Sequence, residues 1–165
     1  MPDPDPELTT RNRLAGTVEA VLTGTVMAEV TVAVAGEHLV AVITRHSAER
    51  LGLAQGDAVT VLIKATEVML AKGSDRLDRL TTRNQVAGKV TAVQPGSVMA
   101  EVTIDAGGSE LVAAVTRAGV ERLGLSAGDD VVALIKATEV MLAKEARAAK
   151  HGADSASRRA LSDRA

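Results

Sequence analysis

Eleven residues, Leu-Ile-Lys-Ala-Thr-Glu-Val-Met-Leu-Ala-Lys, occur twice without a change, at 62–72 and at 134–144. They close two copies of one unit. Residues 8–72 align with 80–144 at an offset of 72 with no gap, and 42 of the 65 positions are identical. A gapless match fixes the loops as well as the regular elements, so the two copies must take one fold. The repeated segment ends an apolar strand and then sets Lys64, or Lys136, before the small residue Ala65, or Ala137. An ammonium at a strand end followed by open backbone N–H groups suits an anion. A single such lysine reads more readily as an ordinary solvated strand end. Its unaltered repetition turns the reading toward function.

A unit of this size has little material for a core. The chain holds 46% hydrophobic residues but no Phe, Tyr, Trp or Cys. Aromatic side chains usually supply much of the buried area, and small units without them or disulfides are marginal alone. The units are therefore expected to pack on each other and on further copies of the chain. The lack of Cys excludes disulfides, thiolate metal sites and thiol nucleophiles. No apolar run reaches the ~20 residues that span a bilayer, and the opening Met-Pro-Asp-Pro-Asp-Pro-Glu is unlike a secretory signal. The expected location is the cytoplasm, with no membrane partner.

In chain order, residues 1–8 are expected to be a disordered tail, 9–72 the first domain, 73–80 a polar linker, 81–144 the second domain, and 145–165 a polar, basic, disordered tail. In the first copy, residues 14–22 read as a strand with Leu14, Gly16, Val18, Ala20 and Leu22 on one side. Thr23 and Gly24 turn the chain. Residues 25–34 alternate, with Val26, Ala28, Val30, Val32 and Val34 inward. Gly36 and Glu37 turn it again into a strand at 39–43. Thr44 is a good N-cap and Gly52 a good C-terminal stop, which predicts a short helix between them. Strands at 58–63 and 68–70 follow. The fold class is all-β: two tandem small five-stranded barrels of the oligonucleotide-binding type, each with one short helix.

Enzyme chemistry finds little support. His38 and His46 face Glu110 and Ala118 in the other copy, and with His151 they read as surface histidines. Glu29/Glu101 and Glu67/Glu139 repeat, but no nucleophile or metal cluster accompanies them. Gly107-Gly108 is a hairpin turn rather than a phosphate loop. Nucleic acid is an unsuitable partner: the chain has no aromatic stacking platform, and with +2 on the tail the remaining body carries −4.

What does recur is a set of oxyanion-binding parts. Thr9 and Arg11 open the first strand, and Thr81 and Arg83 stand in the same places in the second copy. Thr44 and Ser47 lie on the first helical turn, where free N–H groups favour negative charge. Lys64 and the Ala65 N–H follow the fourth strand. Hydroxyls, N–H groups, one Arg and one Lys, with no carboxylate, suit a tetrahedral oxyanion. Judged singly, each is as readily a helix cap or a solvated strand start; the joint recurrence carries the reading.

The ordered motifs Thr-Thr-Arg-Asn-x-x-x-Gly-x-Val, Gly-x-Val-Met-Ala-Glu-Val-Thr, Leu-Gly-Leu-x-x-Gly-Asp and Ile-Lys-Ala-Thr-Glu-Val-Met-Leu occur twice, over about 130 of the 165 residues. Together they resemble the molybdate-binding Mop, or TOBE, domain, in the tandem arrangement of the di-Mop molybdenum-storage proteins (molbindins). The resemblance implies non-enzymatic binding of molybdate or tungstate between the subunits of a homo-oligomer, a trimer being favoured, for molybdenum storage and homeostasis. An oxyanion-sensing regulatory or transport accessory module acting through a partner protein is the alternative. The binding residues it implies are Thr9, Arg11, Thr44, Ser47, Lys64 and Ala65, and Thr81, Arg83, Thr116, Gly119, Lys136 and Ala137. No metal is implied as a free cation. Two departures stand out. Thr replaces the usual Ser at 9 and 81, which keeps the hydroxyl. Gly119 stands where Ser is expected, which removes one donor from the second copy.

Overall fold

A computed structural model describes residues 8–144. Of the expected tails at 1–8 and 145–165, all but Leu8 lies outside the described residues. Each repeat contributes five strands and one short α-helix, in the order strand, strand, strand, helix, strand, strand. In the first repeat these are β1 (Asn12–Thr23), β2 (Met27–Val34), β3 (Glu37–Thr44), α1 (Arg45–Leu51), β4 (Ala58–Ile63) and β5 (Met69–Lys72). In the second they are β6 (Asn84–Pro95), β7 (Met99–Ala106), β8 (Ser109–Thr116), α2 (Arg117–Leu123), β9 (Asp130–Ile135) and β10 (Met141–Ala143). A 3-10 turn, Ala65–Glu67 or Ala137–Glu139, precedes each last strand and was not expected from the sequence. The hairpin turn between β2 and β3 falls on Ala35 and Gly36, one residue earlier than expected.

The strands form two five-stranded antiparallel sheets, and the last strands are exchanged between them. One sheet runs β10-β4-β1-β2-β3 and the other β5-β9-β6-β7-β8. Met141, Leu142 and Ala143 of β10 pair with Leu62, Val61 and Thr60 of β4. Met69, Leu70 and Ala71 of β5 pair with Leu134, Ala133 and Val132 of β9 in the same register. The exchange gives the identical eleven-residue segments a structural reason. Each must fit the other repeat's sheet, and each supplies both a strand end and the strand that pairs with the other's end.

Alternation in β2 follows the sequence from Ala28 to Val34, but two residues expected inside are outside. Leu22 is 70% exposed and Val26 71%. In β1 the register shifts between Val18 and Ala20. This β-bulge turns every later side chain over, so Val21 rather than Ala20 or Leu22 packs toward the core. Val26 precedes the start of β2, in the loop that reverses the chain. Close sheet packing also dictates a glycine. A Cβ at Gly16 would lie 2.5 Å from Val32 Cγ1, and one at Gly88 2.6 Å from Ile104 Cγ2.

One apolar cluster runs through both repeats, with Val30, Val61, Ile63, Val102, Ile104 and Ile135 fully buried. Val68 and Val140, which lead into the exchanged strands, belong to it and are 1% and 2% exposed. Burying a valine is worth about 1.5–3 kcal/mol, so each crossing is fastened by packing as well as by strand pairing. Two buried amides fasten it further. Asn12 Nδ2 donates to Val112 O at 2.8 Å and Asn12 Oδ1 accepts from Val112 N at 2.7 Å. Asn84 makes the same pair of bonds to Val40, at 2.8 and 2.7 Å. Val40 and Val112 lie on β3 and β8, the outer strands of the two sheets. Each asparagine therefore caps an open sheet edge of the opposite repeat.

Candidate oxyanion-binding grooves

Thr44 stands in extended conformation (φ −67°, ψ 145°) as the N-cap of α1. Its Oγ1 accepts from the Ser47 N–H at 3.1 Å and donates to Ser47 Oγ at 2.9 Å. One first-turn N–H expected to be free is thus already satisfied by the cap. Gly52 ends the helix in the left-handed region at φ 58°. The second repeat matches: Gly119 N donates to Thr116 Oγ1 at 3.1 Å, and Gly124 closes α2 at φ 59°. It has no second hydroxyl. A Cβ at Gly119 would sit 3.0 Å from Thr116 Oγ1, a close contact with a hydroxyl that Ser47 shows can be shared with serine.

The strand exchange decides what faces these hydroxyls. The 3-10 turn Ala137–Glu139 packs on β3, and Ala65–Glu67 packs on β8. One groove is lined by Thr44, Ser47 and Arg50 of the first repeat and by Thr138 and Met141 of the second. Its counterpart joins Thr116, Gly119 and Arg122 of the second repeat to Thr66 and Met69 of the first. Along the sequence Thr44 and Ser47 go with Lys64; in the fold they face the turn that follows Lys136. Each groove is open, with a volume of about 370–380 Å³, the scale of a drug-sized ligand rather than of one small anion.

The remaining candidates sit as follows. Lys64 and Lys136 are exposed at the heads of the 3-10 turns, with extended backbone. Lys64 Nζ reaches Glu67 Oε1 only at 4.0 Å. Ala137 is buried and Ala65 half-buried. Thr9 and Thr81 are exposed on the irregular lead-ins to β1 and β6. The arginines differ from expectation, because each already holds a carboxylate. Arg11 donates from Nη1 and Nη2 to both oxygens of Glu101 at 3.0 and 2.9 Å. Arg83 does the same to Glu29 at 3.3 and 3.0 Å. The Glu101 hydrogen bond and charge hold the Arg11 pKa above its ordinary value. A donor set without carboxylates is therefore corrected: the recurring glutamates of β2 and β7 fill the arginine forks across the repeats. Both pairs lie at the surface, where water and salt screen them.

His38 and His46 are exposed, and His38 Nδ1 lies 2.7 Å from Glu19 Oε2. Among the described residues, no group of three or more His, Cys, Asp and Glu could hold a metal ion. No helix among them is long and apolar enough to cross a membrane. Sequence reasoning missed Thr66, Thr138, Arg50 and Arg122 as groove residues. Their recurrence at an offset of 72 was the available signal. It also missed Asn12 and Asn84, polar residues at the heads of apolar strands in both copies.

The sequence profile of the TOBE domain matches residues 8–70 and again 80–142. The chain belongs to the TOBE domain family. Among solved structures it is similar to ModG, described as a cytoplasmic molybdate-binding protein and crystallised with molybdate bound. The TM-score is 0.80 at 40% identity, over 84% of this chain and 99% of that one. The molybdenum-pterin-binding protein MopA of Rhodobacter capsulatus is 43% identical over 102 residues, 61% of this chain but 38% of that protein. The TOBE chain thus spans well under half of that relative. Molybdenum-pterin-binding protein 3 of Clostridium pasteurianum is 41% identical over 64 residues, 38% of this chain and 94% of that protein. A single repeat accounts for nearly all of it.

Proposed function

We propose that this tandem TOBE protein binds molybdate, or tungstate, and acts in the cytoplasm as a store of the oxyanion rather than as an enzyme. The observation that carries the reading is the match of both repeats, over 84% of this chain, to a molybdate-bound structure, laid over two grooves that present hydroxyls from both repeats. A tetrahedral dianion needs several donors and at least one cation. One chain offers Thr44, Ser47 and Thr138 at one groove, with Lys136 at the head of the adjoining turn. The groove is too open to enclose a small anion. Donors from a neighbouring subunit would complete the shell: the exposed Thr9 and Thr81, and Arg11 and Arg83 on release from Glu101 and Glu29. Anion binding is then linked to assembly, with a homotrimer as the favoured oligomer.

Native mass spectrometry with molybdate, tungstate and sulfate tests this reading directly. A trimer that gains a fixed number of molybdates or tungstates, and does not take up sulfate at the same concentration, is the expected result. A folded monomer that binds none of the three refutes it.

A further inference from the structure

At the end of each exchanged strand stands a lysine that reaches the end of the opposite repeat's helix. Lys144 follows β10. Its Nζ donates to Asp57 Oδ2 at 2.7 Å and to Gly52 O at 3.0 Å. Lys72 closes β5. Its Nζ donates to Gly124 O at 3.1 Å and Leu123 O at 3.2 Å, with Asp129 Oδ2 at 3.5 Å. Gly52 and Gly124 are the residues that terminate α1 and α2. Each lysine thus meets the carbonyls left over at a helix end, where positive charge is favoured. Asp57 and Asp129 are themselves fixed, accepting from Ala54 N and Ser126 N at 2.9 Å.

The geometry brackets each helix lengthwise. The segment from 136 to 144 begins at the turn whose Thr138 shares a groove with Thr44 and Ser47, and finishes on Gly52. β10 has three residues and one sheet neighbour, β4. So short an edge strand frays unless its end is held. We propose that Lys144 and Lys72 are positioning residues for the oxyanion grooves, each fixing the groove built on the helix of the repeat to which it does not belong. Lys144 sets the distance between Thr138 and the Thr44–Ser47 pair; Lys72 sets that between Thr66 and Thr116. The two anchors are unequal: the Lys144 side chain is 13% exposed and that of Lys72 is 45%. The Lys144 anchor is the firmer.

This inference rests on the reading of the grooves as anion sites, and the experiment separates the two. Molybdate is titrated calorimetrically into the full-length wild type and into Ser47→Gly, Lys144→Met, Lys72→Met and the double variant Ser47→Gly/Lys144→Met. Lys144→Met is expected to weaken the sites sensitive to Ser47→Gly about tenfold, the affinity equivalent of one hydrogen bond to a charged group. The remaining sites should be unchanged. Lys72→Met should act on the other class, and less. In the double variant the two losses should fall short of additive, because both act on one groove. Lys144→Arg should restore most of the affinity, which loss of global stability alone would not predict. If Lys144→Met does not fold, Asp57→Asn removes the same ion pair while leaving the bond to Gly52, and should lower the same class. A wild type that binds no molybdate defeats the functional reading. A wild type that binds, with the Ser47-sensitive class untouched by Lys144→Met or by Asp57→Asn, or with both classes falling equally, overturns the positioning role.

Discussion

Replacing Asn12 by alanine should cost more stability than any surface change in the molecule. Asn12 is 1% exposed, and its amide completes both polar groups of Val112, itself 4% exposed, on the outer strand of the opposite sheet. Alanine leaves a buried N–H and a buried C=O without partners. Each unsatisfied group costs about 1–3 kcal/mol, so the sum is about 2–5 kcal/mol once some water entry is allowed. For a chain of this size that corresponds to a fall in Tm of about 5–15 °C. Asn84→Ala, which strips Val40, should match it. Urea unfolding of the full-length protein followed by circular dichroism measures the effect, and an unchanged m-value would show that the cost lies in the native state. Asn12→Asp sharpens the test. A carboxylate cannot donate to Val112 O, so at pH 7 the loss should equal or exceed that of alanine. Burial raises the pKa of the new acid in the folded state. The folded protein then binds the proton more tightly than the unfolded chain, so stability should recover as the pH falls through that raised pKa. A loss under about 1 kcal/mol for Asn12→Ala would mean that the β8 edge relaxes or hydrates freely, and that the amide does not hold the repeats together.

Three further outcomes follow from the same geometry. Lys64→Ala and Lys136→Ala should each lower molybdate affinity about ten- to a hundred-fold, or remove a class of bound anion, with Tm unchanged without anion, since both side chains are exposed; unaltered titrations in the double variant would exclude them as the cations. Wild-type protein should show two affinity classes about tenfold apart, narrowed by Gly119→Ser and by Ser47→Gly, as read by calorimetry beside thermal melts of the anion-free protein. Gly88→Ala should destabilise by about 1–3 kcal/mol in urea, because the added methyl meets Ile104 Cγ2 at 2.6 Å and Asp105 O at 2.8 Å.

Local patterns in the sequence placed the strands and the two helices, and showed where the helices stop, but did not show the 3-10 turns. Thr44 and Gly52 serve as the two caps that their types suggest, and β2 alternates as written from Ala28 to Val34. What a period-two pattern cannot carry is an extra residue in a strand. The bulge between Val18 and Ala20 moved Leu22 from the expected inside to the surface. Nor can the sequence choose a partner for β5. Segments 62–72 and 134–144 are identical, so the β4 and β9 edges offer the same Leu-Ile strand end to either copy. In the fold each 3-10 turn packs on the outer strand of the opposite sheet, and the strand after it pairs there. The same crossing regroups the candidate site: Thr44 and Ser47 were recognisable as donors, while Thr138 across the groove belongs to a stretch some ninety residues later. The pairing of Arg11 with Glu101 was illegible for the same reason, since it joins two repeats that the sequence lists apart.

The crossing of β5 and β10 also changes what a broken backbone would mean. A protease that cuts between Gly73 and Arg79 severs the only peptide connection between the repeats. The two fragments do not thereby come apart. The first still has its last strand embedded beside β9, and the second has its own beside β4. Release demands that both pairings, the crossing valines Val68 and Val140, and the two asparagine bridges be undone together. The halves are therefore held by noncovalent contacts that do not run through the linker.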